Sequence, residues 1–467
     1  MPENAANLDT LGSNLSTDDT EVYQDPAADK FIELSNSARQ VLHNIAQSFY
    51  APLGSKKENR IYSIPETAKL LSVDPSYLRK LASGKVTVKG QPIKAAHIID
   101  HELTDADGKK SIKRRRGYYL SEINAMRDLL DRNPYRAPTD KPMIIANQIF
   151  KGGGGKTTTS VNSAMRFAEL GYRVALVDLD PQGSATSLMF PNPDDWNRFA
   201  LLYDYYFAEE YGDVKPKVLD LNDPQNSLFQ KTHWDRLLLL PSGIANSWAE
   251  MRIPKDYYEE VGKAEKEKRP INPDLLFWKR IENILLPIKD QFDIIIIDTP
   301  PSVSYFALNA LWASSALLIP LPPQALDFDS LCKFFEHISE NVYGFNKKEI
   351  EHGGTPRTWD FIKILISRHT WTPSAREIEA HIRQAFGAHV LNTVIKQTTM
   401  LERASLQNKT PYEIHPDEVP RETYHRCMEM LNSAFGEIED LIIASWPSKS
   451  GHARRIQDKL DMEVMYG

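Results

Sequence analysis

Residues 143–160 read MIIANQIFKGGGGKTTTS, an apolar stretch that leads into four consecutive glycines and then a run of small polar residues. Such a stretch is typical of a buried strand that ends in a tight loop and continues as a helix. Glycines allow backbone N–H groups to close around phosphate oxygens, because no Cβ stands in the way, and the positive end of the helix dipole adds to the attraction. The stretch therefore predicts a phosphate-binding loop after a strand.

Four further apolar stretches predict the rest of a sheet. They are RVALVDLD (173–180), FDIIIIDTPP (292–301), ALLIPL (316–321) and FIKILIS (361–367). Continuous apolar strands that alternate with helical stretches are typical of a parallel sheet covered by helices. The predicted fold class is α/β: a P-loop NTPase domain over residues 140–446, with a mostly parallel central sheet flanked by helices. Residues 190–235 and 252–290 fit the alternation poorly and are predicted to be insertions.

Composition limits the classes of protein that the chain can belong to. Its 467 residues are 41% hydrophobic and 25% charged, which is normal for a globular protein. No apolar run reaches the ~18 residues of a membrane-spanning helix, and the acidic N-terminus does not resemble a secretory signal. The two cysteines, Cys332 and Cys427, are too far apart in sequence to indicate a disulfide framework, so a cytoplasmic location is predicted.

Charge is distributed unevenly in the first third of the chain. Residues 1–30 hold seven acidic residues and one lysine, net −6, whereas residues 51–136 hold eighteen Lys/Arg and ten Asp/Glu, net +8. Residues 1–28 are predicted to be a disordered acidic tail, and the basic segment indicates a module that binds a polyanion. At the other end, residues 447–467 are predicted to be a tail.

Residues 29–52 are predicted to form an amphipathic helix. Its apolar positions recur every three or four residues, at Phe31, Leu34, Ala38, Val41, Ile45 and Phe49. Two readings remain open for the apolar face. It pairs with the same helix of a second subunit, or it packs against its own domain.

The sequence SIPETAKLLSVDPSYLRKLASG, residues 63–84, resembles a helix-turn-helix. Ala68 takes the small-residue position of the first helix, and Ser72 occupies the turn where glycine is commoner. The packing positions are Leu71, Val73, Leu78 and Leu81. The residues that the second helix is predicted to present to a DNA major groove are Ser76, Tyr77, Arg79 and Lys80.

The next stretch, AAHIIDHELTDADGKKSIKRRRGYYL at 95–120, is predicted to form a hairpin with DADG at its tip. The cations of its return strand form a wing suited to phosphate contacts. The wing residues predicted to contact DNA are Lys113, Arg114, Arg115 and Arg116. Residues 60–136 are therefore predicted to be a winged helix-turn-helix domain.

The spacing within KGGGGKT, residues 151–157, defines the glycine loop more narrowly. The ordinary pattern G-x-x-x-x-G-K-[ST] has glycine at position 150, whereas this chain has Phe150 and a second lysine, Lys151. In that pattern Lys156 reaches the β- and γ-phosphates and the Thr157 hydroxyl binds Mg²⁺. The variant with the additional lysine resembles the deviant Walker A motif of the ParA/MinD class of ATPases.

This resemblance implies ATP and Mg²⁺ as cofactors. The implied nucleotide-binding residues are Lys151, Gly152, Gly153, Gly154, Gly155, Lys156, Thr157 and Thr158. Asp298, at the end of a predicted strand, would hold Mg²⁺ together with Thr157. Asp180, which lies 24 residues after Lys156, would orient and polarise the attacking water. Lys151 would cross to the nucleotide of a second subunit in a sandwich dimer, so that hydrolysis would require dimerisation.

The helix-turn-helix in front of such a loop resembles the long type of ParA partition ATPase. That resemblance implies non-specific DNA binding in the ATP state, stimulation by a ParB-type partner, association with the nucleoid, and repression of the protein's own operon through the N-terminal domain. In VIKQTTMLERASLQNKTPYE, residues 394–413, Lys396 and Arg403 correspond in place to a segment that helps the family bind DNA.

Two other functions are weighed against this one. A transcriptional repressor that senses nucleotide with little turnover would share the loop and the helix-turn-helix. A MinD-like membrane-positioning ATPase would need a basic amphipathic C-terminal helix, whereas HARRIQDKLDMEVMYG, residues 452–467, has few large apolar residues and three acids. No membrane partner is therefore predicted.

Overall fold

The chain divides into two units, residues 1–53 and residues 54–467. The computed structural model describes residues 30–31, 33–38, 41, 57, 59–91, 93, 96–104, 110–192 and 198–449. In the first unit every described position is helical, and Phe31, Leu34 and Val41 are exposed there. The predicted tail over 1–28 and most of the predicted tail over 447–467 lie outside the described residues.

The second unit begins with two short helices joined by a tight turn. The elements of this region are β1 (Ile61–Ser63), α1 (Ile64–Leu70), α2 (Pro75–Ala82), β2 (His97–Thr104), β3 (Lys110–Tyr119) and α3 (Leu120–Leu130). Ser63 and Glu66 form a capping box at the start of α1, and the Asp74 side chain accepts a hydrogen bond from the backbone N–H of Ser76, 2.7 Å away, at the start of α2. Ser72 adopts the left-handed conformation, φ 51°, which explains why glycine is common at this turn.

Strands β2 and β3 form an antiparallel hairpin, and β1 pairs with the other edge of β3. The hairpin and the two helices lie within residues 60–136, for which the sequence predicts a winged helix-turn-helix, and that assignment stays a prediction. The DADG tip, residues 105–108, lies outside the described residues.

A seven-stranded sheet forms the centre of the second unit, in the order β10-β9-β4-β8-β5-β7-β6. Its strands are β4 (Met143–Asn147), β5 (Val174–Asp178), β6 (Gln230–Lys231), β7 (Leu237–Leu240), β8 (Ile294–Asp298), β9 (Ala316–Leu321) and β10 (Phe361–Ile366). All neighbouring pairs are parallel except β6 with β7, which are antiparallel at one edge. The mostly parallel sheet agrees with the predicted fold class, and its two faces are covered by two apolar clusters.

The helices around the sheet begin with one that directly follows the glycine loop. They are α4 (Lys156–Leu170), α5 (Ser184–Met189), α6 (Leu202–Tyr211), α7 (Asn246–Glu267), α8 (Arg280–Leu285), α9 (Tyr305–Ala313), α10 (Ala325–Glu351), α11 (Pro373–Phe386), α12 (Thr399–Leu406) and α13 (Arg421–Ser445). The predicted insertions contribute structure of their own: 190–235 holds α6 and β6, and 252–290 holds most of α7 and all of α8. Among the described residues, no helix is both long enough and apolar enough to cross a membrane.

The region of α1 to α3 and the sheet domain share one apolar core. Ala68, Leu78 and Ile123 belong to the same buried cluster as Val161 of α4 and Leu431 of α13. The connecting segment 132–142, which its prolines suggest is a linker, is also packed against the sheet domain. Within this segment Arg136 is buried and donates to the backbone oxygens of Phe292 and Asp290, at 3.0 and 2.9 Å.

Arg127 of α3 joins the two regions. Its side chain is 1% exposed, and its Nη2 donates to the backbone oxygens of Glu169 and Leu70, at 2.8 and 3.1 Å. The first oxygen is at the end of α4 and the second at the end of α1, so one guanidinium satisfies carbonyls at two helix ends. Gly171 adjoins it with φ 106°, and a Cβ there would lie 2.9 Å from Arg127 Cδ.

We expect Arg127→Met to lower the free energy of unfolding by about 2–4 kcal/mol, because both carbonyls would remain buried without their donor. Denaturant unfolding of the full chain measures this loss. Arg79→Met, on the exposed face of α2, is the matched control and should change stability by less than about 0.5 kcal/mol. Equal effects of the two substitutions would show that Arg127 does not join the regions energetically.

Candidate nucleotide-binding site

The glycine loop has the geometry of a phosphate cradle. Gly153 and Gly155 have φ of 78° and 88°, a region that side chains with a Cβ rarely adopt. Gly155 is the last residue before α4, so the positive end of that helix opens directly at the loop. A Cβ on Gly154 would lie 3.3 Å from both Ile149 Cγ2 and the Pro320 carbonyl oxygen, which fixes the loop closely over the ends of the strands.

Lys156 is buried at the first position of α4. Its Nζ donates to the carbonyl oxygen of Lys151, 2.8 Å away, and so closes the loop on itself. Burial lowers the pKa of Lys156, while the carboxylates of Asp298 and Asp180 act in the opposite direction. A cation that burial disfavours gains from any anion placed beside it, which suits a phosphate ligand.

Two buried carboxylates end neighbouring strands beneath the loop. Asp178 of β5 and Asp298 of β8 are direct partners in the parallel register. The Asp178 carboxylate accepts from the backbone N–H and the hydroxyl of Thr186, at 2.9 and 2.8 Å. Asp298 Oδ1 accepts from the Ser160 hydroxyl at 2.9 Å, whereas its Oδ2 is buried and accepts no hydrogen bond within the described part of the chain.

Burial raises the pKa values of both carboxyl groups. The pKa of Asp178 rises to about 8, through burial and then through the charge of Asp298. The pKa of Asp298 rises to about 6 through burial, against the opposing influence of the Thr157 and Ser160 hydroxyls. A buried carboxylate with an unsatisfied oxygen beside a threonine hydroxyl is a set of oxygen donors that fits Mg²⁺.

Asp180 lies in the loop after β5, close to the same strand ends. It is 7% exposed, and its Oδ1 accepts from the backbone N–H of Gln182 at 3.0 Å. Its own N–H donates to Asp178 Oδ1 at 3.2 Å. This backbone hydrogen bond holds the loop after β5, and with it Asp180, beside the buried carboxylate of Asp178.

Lys151 lies apart from Lys156. Its Nζ is 2.5 Å from Asp327 Oδ1 in the first turn of α10. Its backbone carbonyl accepts from Lys156, so the two lysines share the loop while their ammonium groups have different acceptors. The remaining predicted nucleotide-binding residues, Gly152 and Thr158, are exposed at the loop.

Besides the Lys151–Asp327 ion pair, two contacts at the loop were not predicted from the sequence. Ser367 Oγ donates to the Gly154 oxygen at 2.9 Å, and Arg368 Nη1 donates to the Gly153 oxygen at 2.7 Å. Both residues follow β10, more than 200 positions along the chain, and no local pattern signals them. Ser160 could have been found, because it lies one helical turn after Lys156 on α4.

The predicted DNA-contacting residues of α2 are on its free side. Ser76, Tyr77, Arg79 and Lys80 are exposed, while Leu78 and Leu81 are fully buried against the core. On β3, Arg114 and Arg116 are exposed. Lys113 and Arg115 belong to the same strand, but their side chains lie outside the described part of the structure.

Lys396 and Arg403 are exposed, and Lys396 pairs with His369 in the segment that follows β10. Lys396 Nζ lies 4.6 Å from the centre of the Trp371 ring, and the Arg376 guanidinium lies 5.2 Å from the same ring. Trp371 and Arg376 were not predicted to belong to this surface, because they are 25 and 20 residues before Lys396 in sequence.

The fold and the loop define the class of this protein. A mostly parallel sheet, a glycine loop with a lysine at each end, and two acids at the neighbouring strand ends are features of P-loop NTPases that carry a second lysine. A family model described as "AAA domain" matches residues 142–351.

Comparison with individual proteins is more specific. The chain is 30% identical over 407 residues to the putative replication protein A of Rhizobium rhizogenes, which covers 85% of this chain and 90% of that protein. It is 26% identical over 362 residues to protein SopA of Escherichia coli strain K12, covering 77% and 82% of the two chains. A solved structure titled "Partition Protein" shares the fold with a TM-score of 0.55 at 16% identity, over 90% of this chain and 99% of that one. The chain belongs to the ParA family of partition ATPases.

We expect Asp298→Asn to raise the free energy of unfolding of the nucleotide-free chain at pH 8. The pKa of Asp298 in the folded chain, about 6, exceeds that of an unfolded aspartate, ~3.9. The folded chain therefore binds more protons between these values, and stability falls as the pH rises through them. The gain should be on the order of 2–3 kcal/mol at pH 8 and should shrink as the pH is lowered to 5.

Urea unfolding at both pH values measures this gain. Asp213→Asn, which removes an exposed carboxylate, is the control and should have a small effect that does not change with pH. A loss of stability at pH 8 on replacing Asp298 would contradict the assignment of an uncompensated buried charge.

Proposed function

We propose that this chain is a DNA partition ATPase that binds and hydrolyses ATP with Mg²⁺ as a sandwich dimer. The observation that carries the proposal is the buried Asp298 oxygen, which has no hydrogen-bond partner among the described residues and lies beneath a glycine loop that holds two lysines. A protein keeps such a charge where a ligand compensates it. Membership of the family supports the same conclusion.

Different residues of the chain would bind the phosphates, hold Mg²⁺ and assist hydrolysis. The backbone N–H groups of Gly152 to Gly155 and the N-terminus of α4 would hold the phosphates, with Lys156 on the β- and γ-phosphates. Thr157 and Asp298 would hold Mg²⁺, which neutralises charge on the phosphate oxygens. Asp180 would orient the attacking water. Lys151 of the opposite subunit would stabilise the charge that develops during phosphoryl transfer.

Two surfaces would bind DNA in this function. The exposed residues of α2 and the wing would recognise an operator and repress the protein's own operon. Lys396 and Arg403 would contribute to DNA binding without sequence preference in the ATP state, in the cytoplasm and on the nucleoid. A ParB-type partner would stimulate hydrolysis and so release the DNA.

The N-terminal unit supports a dimer. Phe31, Leu34 and Val41 lie exposed on a helix, and the same face of a second copy would cover them. This pairing would hold two subunits together independently of nucleotide, while ATP would close the two sheet domains on each other.

We expect Lys151→Ala to keep nucleotide binding within about threefold and to lower ATP turnover at least about 100-fold, because the lysine would act on the transition state of the opposite subunit. Lys156→Ala should lose nucleotide binding itself. Steady-state phosphate release and titration with a fluorescent ATP analogue separate the two effects. Normal turnover by the Lys151 variant would refute the role across the dimer.

We expect Arg79→Ala combined with Lys80→Ala to weaken binding to the DNA upstream of the chain's own gene about 10- to 100-fold. Binding to random duplex DNA with ATP should remain, and it should weaken as salt rises because it depends on phosphate contacts. Fluorescence anisotropy with ATP, with ADP and with neither measures both activities.

Lys266→Ala combined with Lys268→Ala is the matched control, since it removes two exposed cations from the end of α7. Loss of random-sequence binding in the Arg79 and Lys80 variant would show that the two surfaces are not separate. Equal binding of wild type to random DNA in all three nucleotide states would favour a nucleotide-sensing repressor instead.

A further inference from the structure

Helix α10 holds the first two residues of the variant loop. The ring of Phe150 packs edge-on against Phe334, with centroids 4.9 Å apart, and lies 5.7 Å from His337. The next residue, Lys151, makes its 2.5 Å ion pair with Asp327 in the first turn of the same helix. Position 150 is glycine in the ordinary loop pattern, so the aromatic contact is a feature of this variant.

The Asp327 carboxylate is more buried than the lysine that pairs with it, so it depends on that lysine for its counter-charge. Its side chain is 5% exposed, whereas that of Lys151 is 33% exposed. Within the described part of the chain, Lys151 is the one cation within ion-pair distance of Asp327. If the lysine leaves, a buried carboxylate remains without a counter-charge, which is unfavourable. Lys151 therefore leaves only for an anion that binds it more strongly.

We propose that Asp327 is a positioning residue that holds Lys151 on its own subunit until a nucleotide-loaded second subunit presents its phosphates. This inference rests on the proposed function, in which Lys151 acts across the sandwich dimer. Closing the dimer then exchanges one carboxylate for the several phosphate oxygens of the opposite nucleotide, and no covalent bond changes. A single subunit keeps the lysine on Asp327, away from its own phosphates, so premature hydrolysis is suppressed.

The ion pair between Lys151 and Asp327 determines whether a substitution should tighten or weaken nucleotide binding. The ion pair stabilises the open form alone, so removing the carboxylate favours closure and tightens every ligand that binds the closed form. Asp327→Asn should therefore tighten the binding of AMP-PNP, a non-hydrolysable ATP analogue, about 5- to 30-fold in the presence of Mg²⁺. Titration calorimetry on the full chain measures the apparent Kd.

The same substitution in a Lys151→Ala background separates this role from a structural one. Without the lysine there is no ion pair to release, so Asp327→Asn should leave the Kd of that background unchanged. The matched control is Asp329→Asn on the same helix, where an exposed carboxylate pairs with Lys333 at 2.7 Å. It removes the same charge without touching the loop, and the Kd should stay at the wild-type value.

Each remaining outcome is decisive. A wild-type Kd for Asp327→Asn overturns the inference, and so does a tightening that persists without Lys151, because the effect would then come from the helix. If Asp327→Asn does not fold, Asp327→Ser takes its place with the same expectation. Normal ATP turnover by Lys151→Ala would instead refute the proposed function, so the two failures are distinguishable.

Discussion

The buried carboxylate of Asp298 is the constraint on which the site depends. It ends β8, the strand between β4 and β5, so that Asn147 and Asp178 end at the same level on either side of it. The Ser160 hydroxyl of α4 reaches the carboxylate from above, which fixes the helix and hence the glycine loop over the strand ends. The chain folds around a charge that its described residues satisfy at one oxygen only, and it is less stable in exchange for a site that attracts a cation.

The sequence predicts the elements whose pattern is contained in a few consecutive residues. The apolar strands, the glycine loop and α4 follow from patterns a few residues long, and so do the two helices around Ser72. Strand β7 was not predicted. Its four leucines, between two stretches rich in charged and aromatic residues, are too few to show whether the hydrophobic pattern is that of a strand or a helix. Asp327, Ser367 and Arg368 meet the loop from far along the chain, so their contacts arise from the fold rather than from local sequence.

The connection between the predicted helix-turn-helix and the sheet domain also depends on contacts between residues far apart in sequence. Prolines in 132–142 suggest a linker, yet Arg136 of that segment is buried against the sheet domain. Arg127 binds the last turn of α4, whose first turn directly follows the glycine loop, and also the last turn of α1. Helix α4, 15 residues long, therefore extends from the glycine loop to the helix end that Arg127 links to α1.

Two lysines in one loop would repel each other if both lay at the same point. In this structure they do not compete, since Lys156 donates to a backbone carbonyl and Lys151 pairs with a carboxylate of α10. Phe150 belongs to the same arrangement, because its packing on α10 holds the backbone of the next residue within reach of Asp327. The departure from glycine at position 150 and the additional lysine at 151 thus have one physical explanation. They attach the start of the loop to a helix, which gives the second lysine an anchor on its own subunit when no phosphate is present.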